Sequence, residues 1–254
     1  MKKKYIFFDI DGTLTNDNPG GIVTDSTKRT LKKLRENGHF VAIATGRAHH
    51  FAVDFAKENG FENMVSDGGN GLMVHGELIS LEPLDFVAAN EIIDECQDKG
   101  FAYAVAIDNT PILYTNSRVP YKNKMEFPLV EDPSIDFHQV KQIFKIFVNC
   151  SVEEERELVA IHKLDYMRYF NSGCIVEPLE KYRGILKMVE YMNGDPQDIV
   201  VFGDGKNDIS MIKQAPISIA MGNAIDEVKQ AATFITKKNT EDGIEYACQY
   251  FGWI

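Results

Sequence analysis

The chain has 254 residues, 44% of them hydrophobic and 26% charged, enough for one large domain or two smaller ones with an ordinary soluble composition. A formal net charge of −11 argues against a general nucleic-acid binder, yet it leaves room for an anionic substrate wherever a metal ion reverses the local field. No apolar run approaches the about twenty residues of a membrane span. The apolar part of the basic start, MKKKYIFFDID, stops after Phe8, too early for a signal peptide. Cys96, Cys150, Cys174 and Cys248 form no CxxC pair and read as free thiols of a reducing compartment, so a cytoplasmic protein is expected.

In chain order, YIFF (5–8) reads as a buried strand and 24–38 as a helix, capped by Asp25 or Ser26 and stopped by Gly38. FVAIAT (40–45) is a second strand, 48–60 a second helix and MVSD (64–67) a third strand. Strands apolar throughout, separated by helices, predict a parallel sheet covered on both faces. The stretch 82–178 differs in texture. It predicts a helix at 84–99, strands at 101–108 and 111–116, a polar loop, a strand at 144–150, a helix at 153–164, and then strands MRYFN and CIVEP. That order suggests an inserted α+β domain with an antiparallel sheet. The last part returns to the first style, with strands at 198–205 and 217–223, helices at 207–215 and 224–232, and a final helix from about Thr240. The domains are therefore expected at 1–81 with 179–254, and at 82–178. The aromatic end, Tyr250, Phe251 and Trp253, is expected to pack on the core.

Ligand crevices of such sheets lie at the carboxyl ends of the strands, where Asp9, Thr45 and Asp204 stand. In DIDGT (9–13) a carboxylate can attack phosphorus, splitting a hydrolysis into two steps. A second carboxylate two residues on points to the same side of a strand and can protonate the leaving oxygen, then take a proton from the attacking water. Mg²⁺ on hard oxygen ligands would relieve the repulsion between them. GDGKND (203–208) ends another strand with Asp204 and places Asn207 and Asp208 at a helix start, while ATGR (44–47) offers a hydroxyl and backbone N–H groups to a phosphate. Each of these segments alone is also an ordinary strand-to-helix turn.

Together, DIDGT, ATGR, GGNG (68–71), GDGKND and the tail AMGNAIDEVKQAATFITKKNTEDGI (220–244) resemble the haloacid-dehalogenase-like hydrolases, most closely their Cof-type phosphatases. The resemblance implies an α/β fold, a Rossmann-like core with an inserted α+β cap of the C2 type, C2B in particular, that closes over a substrate. It implies Asp9 as nucleophile and metal ligand, and Asp11 as general acid/base giving its backbone carbonyl to Mg²⁺. Asp204 would be a further ligand, with Asp208 supporting the shell from behind. Thr45, the Gly46 and Ile10 amides and Asn207 would hold the phosphoryl group. Arg47 and Asn70 lie where the family meets the rest of the substrate.

The family expects a lysine before the glycine that opens the helix after the cap. In EPLEKYRGILKMV, counting from Pro178 and Gly184 puts Arg183 there, with Lys181 two residues earlier. Either cation can neutralise Asp9 and a phosphate, and the two remain alternatives at this level. His49 and His50 belong to no zinc-type cluster. Tyr114 and Tyr121 are candidates to face a substrate. The expectation is a Mg²⁺-dependent phosphatase of small phosphorylated metabolites, sugar phosphates or phosphorylated cofactors, with neither nucleic acid nor membrane as partner. A phosphomutase, or a phosphate-ligand-binding protein without catalysis, is the alternative.

Overall fold

The computed structural model describes residues 2–17, 20–119, 127–169 and 173–254; Tyr121 lies outside them. The chain forms two compact units, one from Met1–Leu81 and Glu180–Ile254, the other from Glu82–Leu179. The first unit begins with β1 (Tyr5–Phe8), α1 (Asp25–Glu36), β2 (Phe40–Ala44), α2 (His49–Glu58), β3 (Met64–Ser66), β4 (Gly71–Val74) and β5 (Glu77–Leu81). The second holds α3 (Phe86–Lys99), β6 (Ala102–Ala106), β7 (Leu113–Thr115), β8 (Leu129–Glu131), β9 (Lys145–Asn149), α4 (Val152–Glu155), β10 (Tyr166–Tyr169) and β11 (Gly173–Val176). The chain returns with α5 (Lys181–Tyr191), β12 (Ile199–Gly203), α6 (Ile209–Gln214), β13 (Ile217–Ala220), α7 (Asp226–Ala231), β14 (Phe234–Ile235) and α8 (Gly243–Tyr250).

The first unit is a three-layer α/β structure on an eight-stranded sheet of order β14-β13-β12-β1-β2-β3-β4-β5. Strand alternation sends Ile6 and Phe8 of β1 to one face, where they meet Leu31 and Leu34 of α1 and Ile244 and Ala247 of α8. Tyr5 and Phe7 go to the other face, against Ile185, Met188 and Val189 of α5 and Met211 of α6. Burial on both faces is why these strands lack polar positions. Trp253 is 4% exposed in the first of these cores, while Tyr250 is 64% exposed, so only part of the aromatic end packs inward.

The sheet is not parallel throughout. β4 and β5 form an antiparallel hairpin on β3, closed by His75 and Gly76 in left-handed conformations. The sequence reading missed these strands, because β5 is an edge with exposed Leu78 and Ile79 and shows no inward-outward alternation. The helix expected at 24–38 is capped by Thr24, whose hydroxyl accepts from the Thr27 N–H, and not by Asp25 or Ser26. The last helix starts at Gly243, after Asp242 takes a left-handed conformation.

The second unit is built on a six-stranded sheet of order β10-β11-β9-β6-β7-β8, antiparallel except for the β7–β8 pair. α3 packs on it through Ile92, Ile93 and Cys96, and Tyr114 is partly buried against this core. The helix expected at 153–164 breaks into α4 and a single turn at Ala160–Lys163. The cause is Glu95: its carboxylate accepts from the N–H groups of Val159 (2.9 Å) and Ala160 (2.7 Å), drawing them out of a continuous helix.

Candidate active site

β12, β1 and β2 are neighbours, with Phe8 opposite both Phe202 and Ile43, so the segments that follow them open at one sheet edge. Asp9 comes directly after β1, its N–H donating to the Phe202 carbonyl at 3.0 Å. The chain then coils through Ile10–Leu14, closed by Leu14 N–H to the Asp9 carbonyl and Thr15 N–H to the Ile10 carbonyl. The strand therefore ends before Asp11. Strand alternation does not decide where its carboxylate lies, which corrects the geometric reading of DIDGT.

Gly12 has φ +81°, and any side chain there would collide with the Asp204 carboxylate. Asp204 Oδ1 accepts from the Thr13 hydroxyl at 2.8 Å. Asp208 Oδ2 accepts from the Asp204 and Gly205 N–H groups, at 2.9 Å each. Asp9, Asp204 and Asp208, all buried, bring carboxylate oxygens within 4.8 Å of one another. Lys181, 1% exposed at the start of α5, donates to Asp9 Oδ1 and Asp208 Oδ1 at 2.6 Å each.

The electrostatics follow from that crowding. Burial, then the Asp208 charge, pushes the Asp9 carboxyl well above its ordinary range; Lys181 opposes the shift and Asp204 adds to it. For Lys181, burial works against the charge, but Asp208 and Asp9 outweigh it and the ammonium is raised above its ordinary value. Three buried carboxylates against one buried ammonium leave an excess of negative charge, which suits a hard divalent cation on oxygen ligands.

Arg183 has a different place. It is exposed on α5 and its Nη2 donates to the Asn70 side-chain oxygen. The helix is set by Gly184, where a Cβ would lie 2.6 Å from both the Gly69 carbonyl and Val65 Cγ1. Arg47 grips Asp11 with both arms, Nε to Oδ2 at 2.9 Å and Nη2 to Oδ1 at 2.6 Å. The Asp11 carboxylate thus stands with Arg47 and not in the acidic cluster. Thr45 is buried and its hydroxyl accepts from the Arg47 N–H at 3.1 Å. Asn207 Nδ2 lies 3.7 Å from where a Cβ of Gly46 would stand, so these two candidates are brought together. Ile10 is buried in the turn beside Asp9.

Some supporting residues escaped the sequence reading. Asp67, with φ +49°, accepts from the His49 N–H (2.8 Å) and the Ser66 hydroxyl (2.9 Å), fixing the turn that carries Gly46 and Arg47. Asn223 donates to the Gly12 carbonyl and Asn239 to the Thr15 carbonyl, each at 2.8 Å, and the Asn239 N–H donates to Asn223 Oδ1. The signal for this brace was present as two asparagines in the quoted tail, but their target lies more than two hundred residues away in sequence.

A family model described as haloacid dehalogenase-like hydrolase matches residues 6–248. This chain belongs to the haloacid dehalogenase-like hydrolases. Among its relatives, YkrA of Bacillus subtilis (strain 168), provisionally named a phosphatase, is 32% identical over 99% of each chain. YitU of the same organism, named a 5-amino-6-(5-phospho-D-ribitylamino)uracil phosphatase, is 26% identical over 98% of each. The solved structure of BT4131, described as a HAD subclass IIB sugar phosphatase, superposes with a TM-score of 0.78 at 26% identity, covering 99% of this chain and 100% of that one. The present chain is accordingly a phosphatase-type member of the haloacid dehalogenase-like hydrolases, of the Cof-type group.

Proposed function

We propose that the protein is a cytoplasmic, Mg²⁺-dependent phosphomonoester hydrolase of small phosphorylated metabolites, working through phosphorylation of Asp9. The observation that carries this reading is the buried cluster of Asp9, Asp204 and Asp208 with Lys181 bridging two of them. Asp9, Asp204 and the Asp11 carbonyl would hold Mg²⁺, which supplies charge neutralisation for a phosphate dianion facing carboxylates. Asp208 is already engaged at both oxygens, by Lys181 and by two backbone N–H groups, and so serves as a support.

In the first step an Asp9 carboxylate oxygen bonds to phosphorus and the ester bond breaks, with Asp11, protonated once its pair with Arg47 opens, giving its proton to the leaving oxygen. In the second, water attacks the phosphoryl group, Asp11 takes its proton, and phosphate leaves with Asp9 restored. Thr45, Asn207 and the Gly46 and Ile10 amides hold the phosphoryl oxygens as charge spreads over them. Lys181, rather than Arg183, takes the part of the neutralising lysine, on the strength of its burial between Asp9 and Asp208. Arg47 and Asn70, the latter paired to Arg183, are proposed to meet the substrate beyond its phosphate. Sugar phosphates and phosphorylated cofactors are the proposed substrates, since the relatives' names give a sugar phosphatase and a phosphoribityl-uracil phosphatase.

The test is phosphate release from a panel of such compounds, with and without Mg²⁺, for wild type and Asp9→Asn. Release that requires both Mg²⁺ and Asp9 is expected. An isomeric phosphate ester without free phosphate would point to a mutase, and tight binding without turnover would overturn the enzymatic reading.

A further inference from the structure

The second unit contains a chemistry that phosphate hydrolysis does not use. Cys150 directly follows β9 and Cys174 lies in β11, the antiparallel neighbour of β9, where it pairs with Val148. Both are buried, and their sulfurs are 3.9 Å apart. Arg168 on β10 completes the group, with Nη2 3.7 Å from Cys150 Sγ. Its guanidinium is held in place by the Cys150 carbonyl (3.2 Å), the Ser151 carbonyl (2.9 Å) and the Glu155 carboxylate (2.7 Å from Nε).

We propose that Cys150 and Cys174 are a peroxide-reactive dithiol, a modification site that closes reversibly to a disulfide. Its residues all belong to the 82–179 unit, so it stands apart from the phosphatase reading.

Two buried cysteines of this protein behave as inert core residues: burial pushes the thiols of Cys96 and Cys248 up to about 12. Cys150 goes the other way, to about 7; its hydrogen bond with Cys174 lowers it most, burial opposes, and the Arg168 charge lowers it further. Cys174 is raised correspondingly, first by that same hydrogen bond and then by burial. Arg168 Nη2 beside the Cys150 sulfur favours a thiolate there, against the opposing charge of Glu155. The Arg168 side chain beside the buried sulfur is 21% exposed, so the group lies close to the surface of its unit.

The chemistry balances with hydrogen peroxide as oxidant. The Cys150 thiolate attacks one peroxide oxygen, the O–O bond breaks and hydroxide leaves, forming a sulfenic acid. Cys174 gives its proton to the departing hydroxyl and its sulfur bonds to Cys150 sulfur, releasing water. Two thiols and one peroxide thus yield one disulfide and two waters.

The test treats the reduced full chain with hydrogen peroxide under native conditions, alkylates it after denaturation, and reads peptides by mass spectrometry. The expected result is a Cys150–Cys174 crosslink that dithiothreitol reverses, with Cys96 and Cys248 alkylated. Cys174→Ser should leave Cys150 as a sulfenic acid that dimedone traps. Arg168→Gln should slow the reaction about three- to tenfold by lowering the thiolate fraction. The proposal is overturned if folded wild type keeps four alkylatable thiols, if Cys150 joins Cys96, or if Cys150 reaches sulfinic acid while Cys174 stays intact. Phosphate release is not a readout, so this proposal and the phosphatase reading fail separately.

Discussion

Lys181 shows how much one side chain carries. It is buried with Asp9 and Asp208 on either side of its ammonium, and removing it strands two carboxylates without a counter-charge. Lys181→Met is expected to cost about 3–5 kcal/mol in urea unfolding, the usual cost of breaking a buried pair from one side. It should also lower phosphate release at least a hundredfold, on the order of other losses of a transition-state charge partner. Arg183→Ala, by contrast, removes an exposed side chain that donates to Asn70, and should change stability by no more than about 0.5 kcal/mol. If Arg183→Ala proves the inactive variant and Lys181→Met turns over normally, the assignment of the lysine role is reversed. Gly12→Ala sets a left-handed backbone against a Cβ and pushes that Cβ into the Asp204 carboxylate. Its expected phenotype is a folded protein without Mg²⁺-dependent turnover, seen by pairing circular dichroism with the phosphate assay.

At the scale of elements, the turn after β1 depends on braces from the far end of the chain. Asn223→Ala and Asn239→Ala should each cost about 1 kcal/mol, as the loss of a side-chain hydrogen bond does. The double variant should cost less than their sum, because Asn223 Oδ1 accepts from the Asn239 backbone N–H, so Asn223→Ala already loosens the residue whose side chain makes the second bond. Strict additivity in a double-mutant cycle would contradict a shared brace. The opposite end of β1 provides a pH-dependent contact. His39 is buried and its Nδ1 accepts from the Lys4 N–H at 3.0 Å, which requires that nitrogen to be unprotonated. Burial lowers the His39 pKa, a hydrogen bond to the Trp253 backbone opposes, and the Lys4 charge lowers it further. The unfolded chain therefore binds the proton more readily, so this stability is present above about pH 6.5 and is lost as pH falls through the folded value. Urea midpoints between pH 7 and 5 should fall in wild type and flatten in His39→Gln.

For the molecule as a whole, a cation held by the acidic cluster would make stability depend on its concentration. A ligand that binds only the folded state at 100 times its Kd adds about 2.7 kcal/mol, or about 5–10 °C in Tm for a chain of this size. Mg²⁺ should raise the wild-type Tm by that order and raise Asp204→Asn much less. Equal shifts in both proteins would place the ion elsewhere. The net charge of −11 makes the control necessary, because weak screening by any divalent salt would move both proteins together.

Read by itself, the chain determined the elements whose burial leaves a pattern: β1, β2 and β12 are apolar throughout because both their faces are covered. It also determined the polar residues at their ends, because Asp9, Thr45 and Asp204 interrupt apolar runs that a core alone would have continued. Periodicity could not reveal what depends on partners distant in sequence. The β4–β5 hairpin forms at an edge where inside and outside are hardly distinguished, and the helix after Val152 is cut short by a carboxylate from α3. The choice between Lys181 and Arg183 was likewise undecidable from local spacing. Tertiary structure separates the two by turning one face of α5 inward, so that Lys181, two residues before Arg183, reaches two buried carboxylates, while Arg183 is left on the exposed side.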